Sequence, residues 1–213
     1  MNSEYLNVTS LIIGFTVITS LLAFSNHKII DSFIFWPYRI WRSNEWYRVI
    51  TGGLIHRDLV HLFFNMYAFY GFGLFVESAF VSMLGPIGHA VFGAMYVLAV
   101  IAADIYNLFK RKDDYQYRAL GASGGVSAIV FAFILLKPFG GIGLIFIPGV
   151  YIPAFIFGGL YLFYCSYMAK QGGDSVDHQA HFWGSVFGFI FPLFFAPQLI
   201  LHFITQILTW GGN

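Results

Sequence analysis

Charge is scarce in this 213-residue chain: Asp, Glu, Lys and Arg make up 10% of it, against about 25% in an ordinary soluble domain. So few ionised side chains cannot cover a water-facing globule. An excess of one sign is missing too, since eleven Lys and Arg against ten Asp and Glu leave a formal charge of +1. Without a basic field, nucleic acid is excluded as a partner. Cysteine is nearly absent. Cys165, between Tyr164 and Ser166 in an apolar stretch, allows no disulfide framework and supplies no pair for a redox or zinc motif, so it reads as a buried thiol. Residues 1–7 carry Glu4 and no Lys or Arg. The first apolar segment is therefore expected to stay as a span rather than to be cleaved as a signal peptide.

What is abundant is apolar: 58% of the residues are hydrophobic and 21% aromatic. Asp, Glu, Lys and Arg are missing from 8–24, 59–76, 78–103, 119–136, 138–169 and 178–213. A hydrocarbon layer about 30 Å thick needs about 20 apolar residues per helix, so each interval has room for one span. Backbone groups in lipid must be satisfied internally, and barrel-type alternation is absent, so helices are the expectation. The pattern predicts an all-α, polytopic membrane protein with helices near 8–25, 58–77, 87–107, 120–137, 150–169 and 179–196, forming one membrane domain over 1–197. Residues 198–213 are too short to cross. Gln198, His202, Thr205, Gln206 and Thr209 recur at helical spacing there, which predicts an amphipathic helix lying at the interface. The first loop, 25–57, holds Trp36, Trp41 and Trp46 with Arg39, Arg42 and Arg48, and reads as a structured loop resting on the membrane.

Polar residues inside spans are costly and need a reason. The second, fourth and sixth helices all start from the same side, and each carries its unusual residues near its first turns. These are His56, His61 and Asn65 for the second; Gly121, Ala122, Ser123, Gly124 and Gly125 for the fourth; and His178, Gln179 and His181 for the sixth. Topology thus gathers a serine, several imidazoles and an amide in one layer. Stripes of small residues, Gly121, Gly125, Ala128 and Ala132 on one helix and Ala180, Gly184 and Gly188 on another, permit close backbone approach. A serine hydroxyl becomes a useful nucleophile when an imidazole within hydrogen-bond reach takes its proton. His61 and Asn65, at i and i+4, can both donate to an oxyanion.

Taken singly, each feature has a plainer reading: a glycine face is packing, a membrane serine bonds its own backbone, and a buried His is a structural donor. Their shared depth argues for a site. The G-x-S-x-G run at 121–125 also fits the elbow of soluble hydrolases. That elbow needs a preceding strand, and the polar segment 113–118 leads straight into an apolar helix.

The ordered set Tyr47-Arg48-Val49-Ile50-Thr51, His56, His61, Asn65, Gly121-Ala122-Ser123-Gly124, Ala180-His181, Gly184 and Gly188 resembles the rhomboid family of intramembrane serine proteases. The resemblance runs from about Trp46 to Gly188. It implies a six-helix bundle in which Ser123 is the nucleophile and His181 the general base of a Ser/His dyad. His61 and Asn65, with the Ser123 backbone amide, would line the oxyanion hole. Arg48, His56, Glu77, Gly121, Gly124, Gly184 and Gly188 would be supporting positions. It also implies hydrolysis of peptide bonds in single-pass transmembrane proteins, with the lipid bilayer as the other partner and no metal or organic cofactor. The fifth helix and the 170–177 loop would be the gate, with Gly172 and Gly173 as hinges. Ser127 departs from the pattern, because well-known bacterial relatives have a Tyr there whose ring packs on the catalytic His. Asp177, four residues before His181, suits a helix N-terminal cap better than a third catalytic residue. Asp104 reads as a helix partner rather than a proton relay.

Two other readings are carried forward: an inactive rhomboid-like protein that binds and escorts membrane proteins, and a metal-dependent enzyme using His56, His61, His178 and His181. Orientation is contested within the sequence itself. The resemblance places the active face outside the cytoplasm of a cell membrane. Yet ten of the eleven Lys and Arg, all but Lys137, lie on that same side, which positive-inside reasoning would make cytoplasmic.

Overall fold

A computed structural model describes residues 7–144, 147–172 and 176–210. Glu4, the hinge candidate Gly173 and the last three residues of the tail lie outside the described residues. Helix α1 is Val8–Ser25. The first loop folds into α2 (His27–Phe33), α3 (Pro37–Ser43), α4 (Arg48–Thr51) and a 3-10 turn at Gly52–Leu54. Then come α5 (Leu59–Leu84), α6 (Ile87–Lys110), α7 (Ser123–Leu136), strands β1 (Gly141–Leu144) and β2 (Ile147–Pro153), α8 (Ala154–Gln171), α9 (His178–Ile190) and α10 (Gln198–Leu208). By length and apolarity alone, α1, α5 and α6 can each cross a bilayer; residues 178–194 with α10, bent by 115°, make a fourth candidate. The chain is a largely helical bundle of the polytopic membrane class.

The ends of the bundle differ from the simplest reading of the apolar runs. The fourth helix starts at Ser123 and not at Leu120, because Gly121 sits at φ +122°, a backbone angle that no helix contains. The fifth starts at Ala154, after a hairpin that the charge-free run concealed. Its strands pair Ile142 with Ile152 and Gly143 with Tyr151 before the register slips. Gly140, Gly141, Gly143 and Gly149 disfavour helix there, and Pro153 stands directly before the helix. The sixth gives way at Phe191 to a 3-10 turn containing Pro192, and the chain then folds over at Pro197 into α10.

Helix α7 is the axis of the bundle. Its residues from Gly124 to Ile129 and from Phe131 to Leu135 are buried, and α9 crosses it closely. A Cβ on Gly184 would collide with the Gly124 carbonyl, and one on Gly188 with the Ala128 carbonyl. Only glycine lets two backbones meet in this way. On the other side of α7, a Cβ on Gly124 would strike Ala103 of α6.

Two buried charges pin the frame. Glu77, inside α5, accepts from Val8 N at 2.8 Å, Thr9 N at 2.9 Å, Thr9 Oγ1 at 2.6 Å and His89 Nδ1 at 2.6 Å. A carboxylate is thereby set on the positive end of α1. Arg48, 1% exposed, donates to the carbonyls of Asp31 at 2.7 Å and Ile34 at 3.0 Å and pairs with Glu45. Buried charges persist only when satisfied in this way.

The first loop is also built into the site. Phe35 and Ala119 exchange two backbone bonds of 3.0 Å, and Gly121 N donates to Gly52 O at 2.9 Å. These bonds hold the strand-like approach to Ser123. Trp36 and Trp41 donate to the carbonyls of Tyr115 and Leu108, tying the loop to the last turn of α6 and to the segment after it.

Candidate active site

Ser123 is the first residue of α7 and His181 lies one turn into α9. The glycine-mediated crossing of these helices brings Ser123 Oγ to 2.7 Å from His181 Nε2. With Nε2 as acceptor, the hydroxyl is the donor, which is the arrangement that precedes proton transfer. Ala122 offers no side-chain cap to α7, and the first-turn N–H groups, that of Ser123 included, point toward the N-terminal end of the helix. That is where a helix N-terminus favours developing negative charge.

His56 fixes the residue before the nucleophile. Its Nε2 accepts the Ala122 N–H at 3.4 Å while Nδ1 lies 2.9 Å from Ser20 Oγ. An Nε2 that accepts cannot carry the proton, so Nδ1 carries it and donates to Ser20, whose hydroxyl donates in turn to Leu54 O at 3.2 Å. Burial, with His61 beside it at a ring distance of 5.0 Å, pushes the His56 pKa down to about 3, and the ring is neutral.

His61 leans on Gly121: a Cβ there would lie 2.6 Å from its Cε1. Asp58 caps α5 by accepting the His61 N–H at 2.8 Å. Asn65, one turn on, donates one amide hydrogen to the His61 carbonyl at 2.9 Å. At most one of its N–H groups is left to meet a substrate.

Asp177 accepts from Ala180 N at 3.0 Å, from Asn107 Nδ2 at 3.0 and 2.8 Å through both oxygens, and from the Tyr117 hydroxyl. It caps α9 and bolts it to α6. Burial and the adjoining Asp177 carboxylate raise the Tyr117 pKa, keeping that hydroxyl a donor. Asp104 lines a cavity of about 20 Å³ behind the dyad, together with Ser123, Gly124, Asp177 and Ala180. That is room for about one water.

Two contacts of His181 escape sequence reasoning. Tyr161 of α8 lies parallel to the His181 ring, centroids 6.3 Å apart and planes 18° apart, with its hydroxyl 2.9 Å from Ser127 Oγ. Ser127 thus holds, from α7, an aromatic ring that reaches His181 from another helix. Cys165, one turn after Tyr161, is not isolated from other metal-binding side chains: donor atoms of Cys165, His178 and His181 all lie within 4.8 Å of one another. His56 and His61 pair with each other, rings 5.0 Å apart, and the candidate metal-binding group found among the described residues includes His178 and His181 but neither of these two.

The Rhomboid domain matches residues 43–198. A mitochondrial RHOMBOID-like protein 12 of Arabidopsis thaliana is 27% identical over 154 residues, a match covering 68% of this chain and 45% of that protein. The chain therefore spans less than half the length of that relative. The domain match takes in every side chain of the Ser123 environment described above except Ser20, and covers most of the chain; this multi-pass membrane protein belongs to the rhomboid family.

Proposed function

We propose that the protein is an intramembrane serine endopeptidase that hydrolyses peptide bonds in or near transmembrane segments of single-pass membrane proteins. The observation that carries this reading is the 2.7 Å approach of Ser123 Oγ to His181 Nε2. Ser123 attacks the scissile carbonyl as its proton passes to His181. The oxyanion is met by the Ser123 N–H, by His61 and by the remaining N–H of Asn65. His181 then returns the proton to the leaving amine, leaving an acyl group on Ser123, and repeats its role as base for water. No metal or organic cofactor enters these steps. Water is needed for the second half, and the cavity behind Ser123 has room to hold one molecule at the site.

A helical substrate has its carbonyls engaged, so unwinding precedes attack. Entry beside α8 suits this, because that helix is the least enclosed of those touching the dyad, with Ala154, Gly158 and Cys165 as its buried residues. Gly172, at φ +64°, ends α8 and provides the bend at its base. We place the active face on the extracytoplasmic side of a cell membrane, and cysteine accessibility scanning across 110–118 tests this.

The decisive experiment uses purified protein in liposomes with a model single-pass substrate and a serine-directed phosphonate. Wild type is expected to cleave and to be labelled. Ser123→Ala is expected to do neither while remaining folded, and His181→Ala is expected to lose cleavage. Full activity in Ser123→Ala overturns the reading. A folded wild type that neither cleaves nor labels leaves the escort function, and chelator-sensitive cleavage with no labelling favours the metal enzyme.

A further inference from the structure

We infer that Cys165, His178 and His181 form a binding site for a soft transition-metal ion, with Zn²⁺ as the type ligand, and that its occupancy silences the dyad. The inhibitory consequence rests on the function proposed above; the coordination does not.

The three donors come from two packed helices. His178 and His181 stand at i and i+3 on α9, their rings 6.1 Å apart and inclined at 80°. Cys165 projects from α8 and is fully buried, and His178 is 4% exposed. One donor atom of each is within 4.8 Å of the others. Zinc bonds of about 2.3 Å to sulfur and about 2.0 Å to nitrogen set tetrahedral donors about 3.5 Å apart, so closure asks each donor to move by about 1 Å or less. Rotations of short side chains supply that without shifting a helix.

Donor chemistry selects the ion. One thiol and two imidazoles suit Zn²⁺ or Cu⁺, whereas Mg²⁺ and Ca²⁺ demand oxygen. On binding, the Cys165 S–H bond breaks, its proton leaves to water and a sulfur–metal bond forms; no electron is exchanged. Ser123 Oγ, 2.7 Å from His181 Nε2, stands at the edge of this set.

Either nitrogen of His181 gives the same consequence. A metal on Nε2 takes the lone pair that must receive the serine proton. A metal on Nδ1 leaves the ring proton on Nε2, which then cannot accept from Ser123. The ion would also clamp α8 to α9, the pair through which we route the substrate.

The test uses the purified full chain, freed of metal by chelator, with Co²⁺ and Zn²⁺ as probes. Wild type is expected to develop a near-ultraviolet thiolate-to-cobalt absorption that Zn²⁺ abolishes; Cys165→Ala should show none. In parallel, Zn²⁺ should inhibit cleavage by wild type, and Cys165→Ala and His178→Gln should need at least about tenfold more. Cys165→Ser, closer in volume, covers the case in which the alanine variant fails to fold. No thiolate absorption in wild type, or equal zinc sensitivity in the cysteine variants, overturns the site. If metal-free wild type cleaves nothing, the protease reading falls while the cobalt spectrum still decides the site.

Discussion

Helices α7 and α8 both reach the candidate dyad, but they are held very differently. Eleven of the fourteen residues of α7 are buried, against three of the eighteen in α8. Helix α7 carries the nucleophile, its approach pinned by backbone bonds from Phe35 and Gly52 and by His56. Helix α8 carries Tyr161, which lies along the ring of the base, and Cys165, which approaches it. The nucleophile is thus fixed by the core, while part of what positions the base comes from an element whose surface lies mostly outside the core. A site arranged in this way can keep its serine in place and still be altered by whatever moves or clamps the outer helix.

The largest effect after loss of the dyad belongs to the fixed side. His61→Ala or Asn65→Ala is expected to lower kcat by about 10²- to 10³-fold with the phosphonate still bound, as removal of one oxyanion donor does. Wild-type turnover in both would remove these residues from the oxyanion hole. Next come the glycines. Gly188→Ala puts a methyl group into the Ala128 carbonyl and should cost about 1–3 kcal/mol or more. Gly159→Ala on α8 meets nothing within 4 Å and should change stability by no more than about 1 kcal/mol. Thermal unfolding in one detergent compares the two, and equal losses would erase the contrast between the helices.

The same fixed side has a pH signature. His56 is neutral when folded, with a pKa of about 3, and near 6.5 when unfolded. Between those values the unfolded chain binds the extra proton, so stability is whole above about pH 6.5 and declines as pH falls toward 3. One unit below the unfolded value, at about pH 5.5, the loss is on the order of 1 kcal/mol. His56→Gln should show a correspondingly shallower decline between about pH 7.5 and 5.5. Parallel curves for the two proteins would assign the acid sensitivity elsewhere.

The asymmetry between the helices also explains what could be read in advance. Charge-free runs reveal an apolar helical bundle because ions are excluded from lipid whatever the packing. The meeting of Ser123 and His181 was legible because topology alone puts the first turns of the second, fourth and sixth apolar segments at one face. The start of α7 at Ser123 was not, since it depends on one backbone angle at Gly121. The hairpin was hidden for a different reason: residues 138–169 hold no Asp, Glu, Lys or Arg, so the strands and the helix after them read as one uninterrupted run. Tyr161 stayed invisible for another reason: Tyr164 and Tyr167 lie on the same helix, and the sequence does not say which of them faces His181. Cys165 went unpartnered because its partners are on the next helix.

The smallest expected effect is the most informative about α8. If the ring of Tyr161 aligns the imidazole, Tyr161→Leu should lower kcat about five- to tenfold, about 1 kcal/mol of transition-state stabilisation, with KM little changed. Tyr161→Phe keeps the ring and loses the bond to Ser127, so it should stay within about twofold of wild type in kcat, and Ser127→Ala should match it. A packing role alone would instead lower the melting temperature of Tyr161→Leu while leaving kcat per folded molecule untouched. Because Tyr161 reaches His181 from the helix beside which the substrate is proposed to enter, the leucine variant should also lose the most turnover when bilayer composition is changed. Ser123, held within the core, should take up the phosphonate at the wild-type extent throughout. Parallel losses of labelling and turnover would mean that α8 positions the nucleophile as much as the base, and the two helices would no longer be distinct in function.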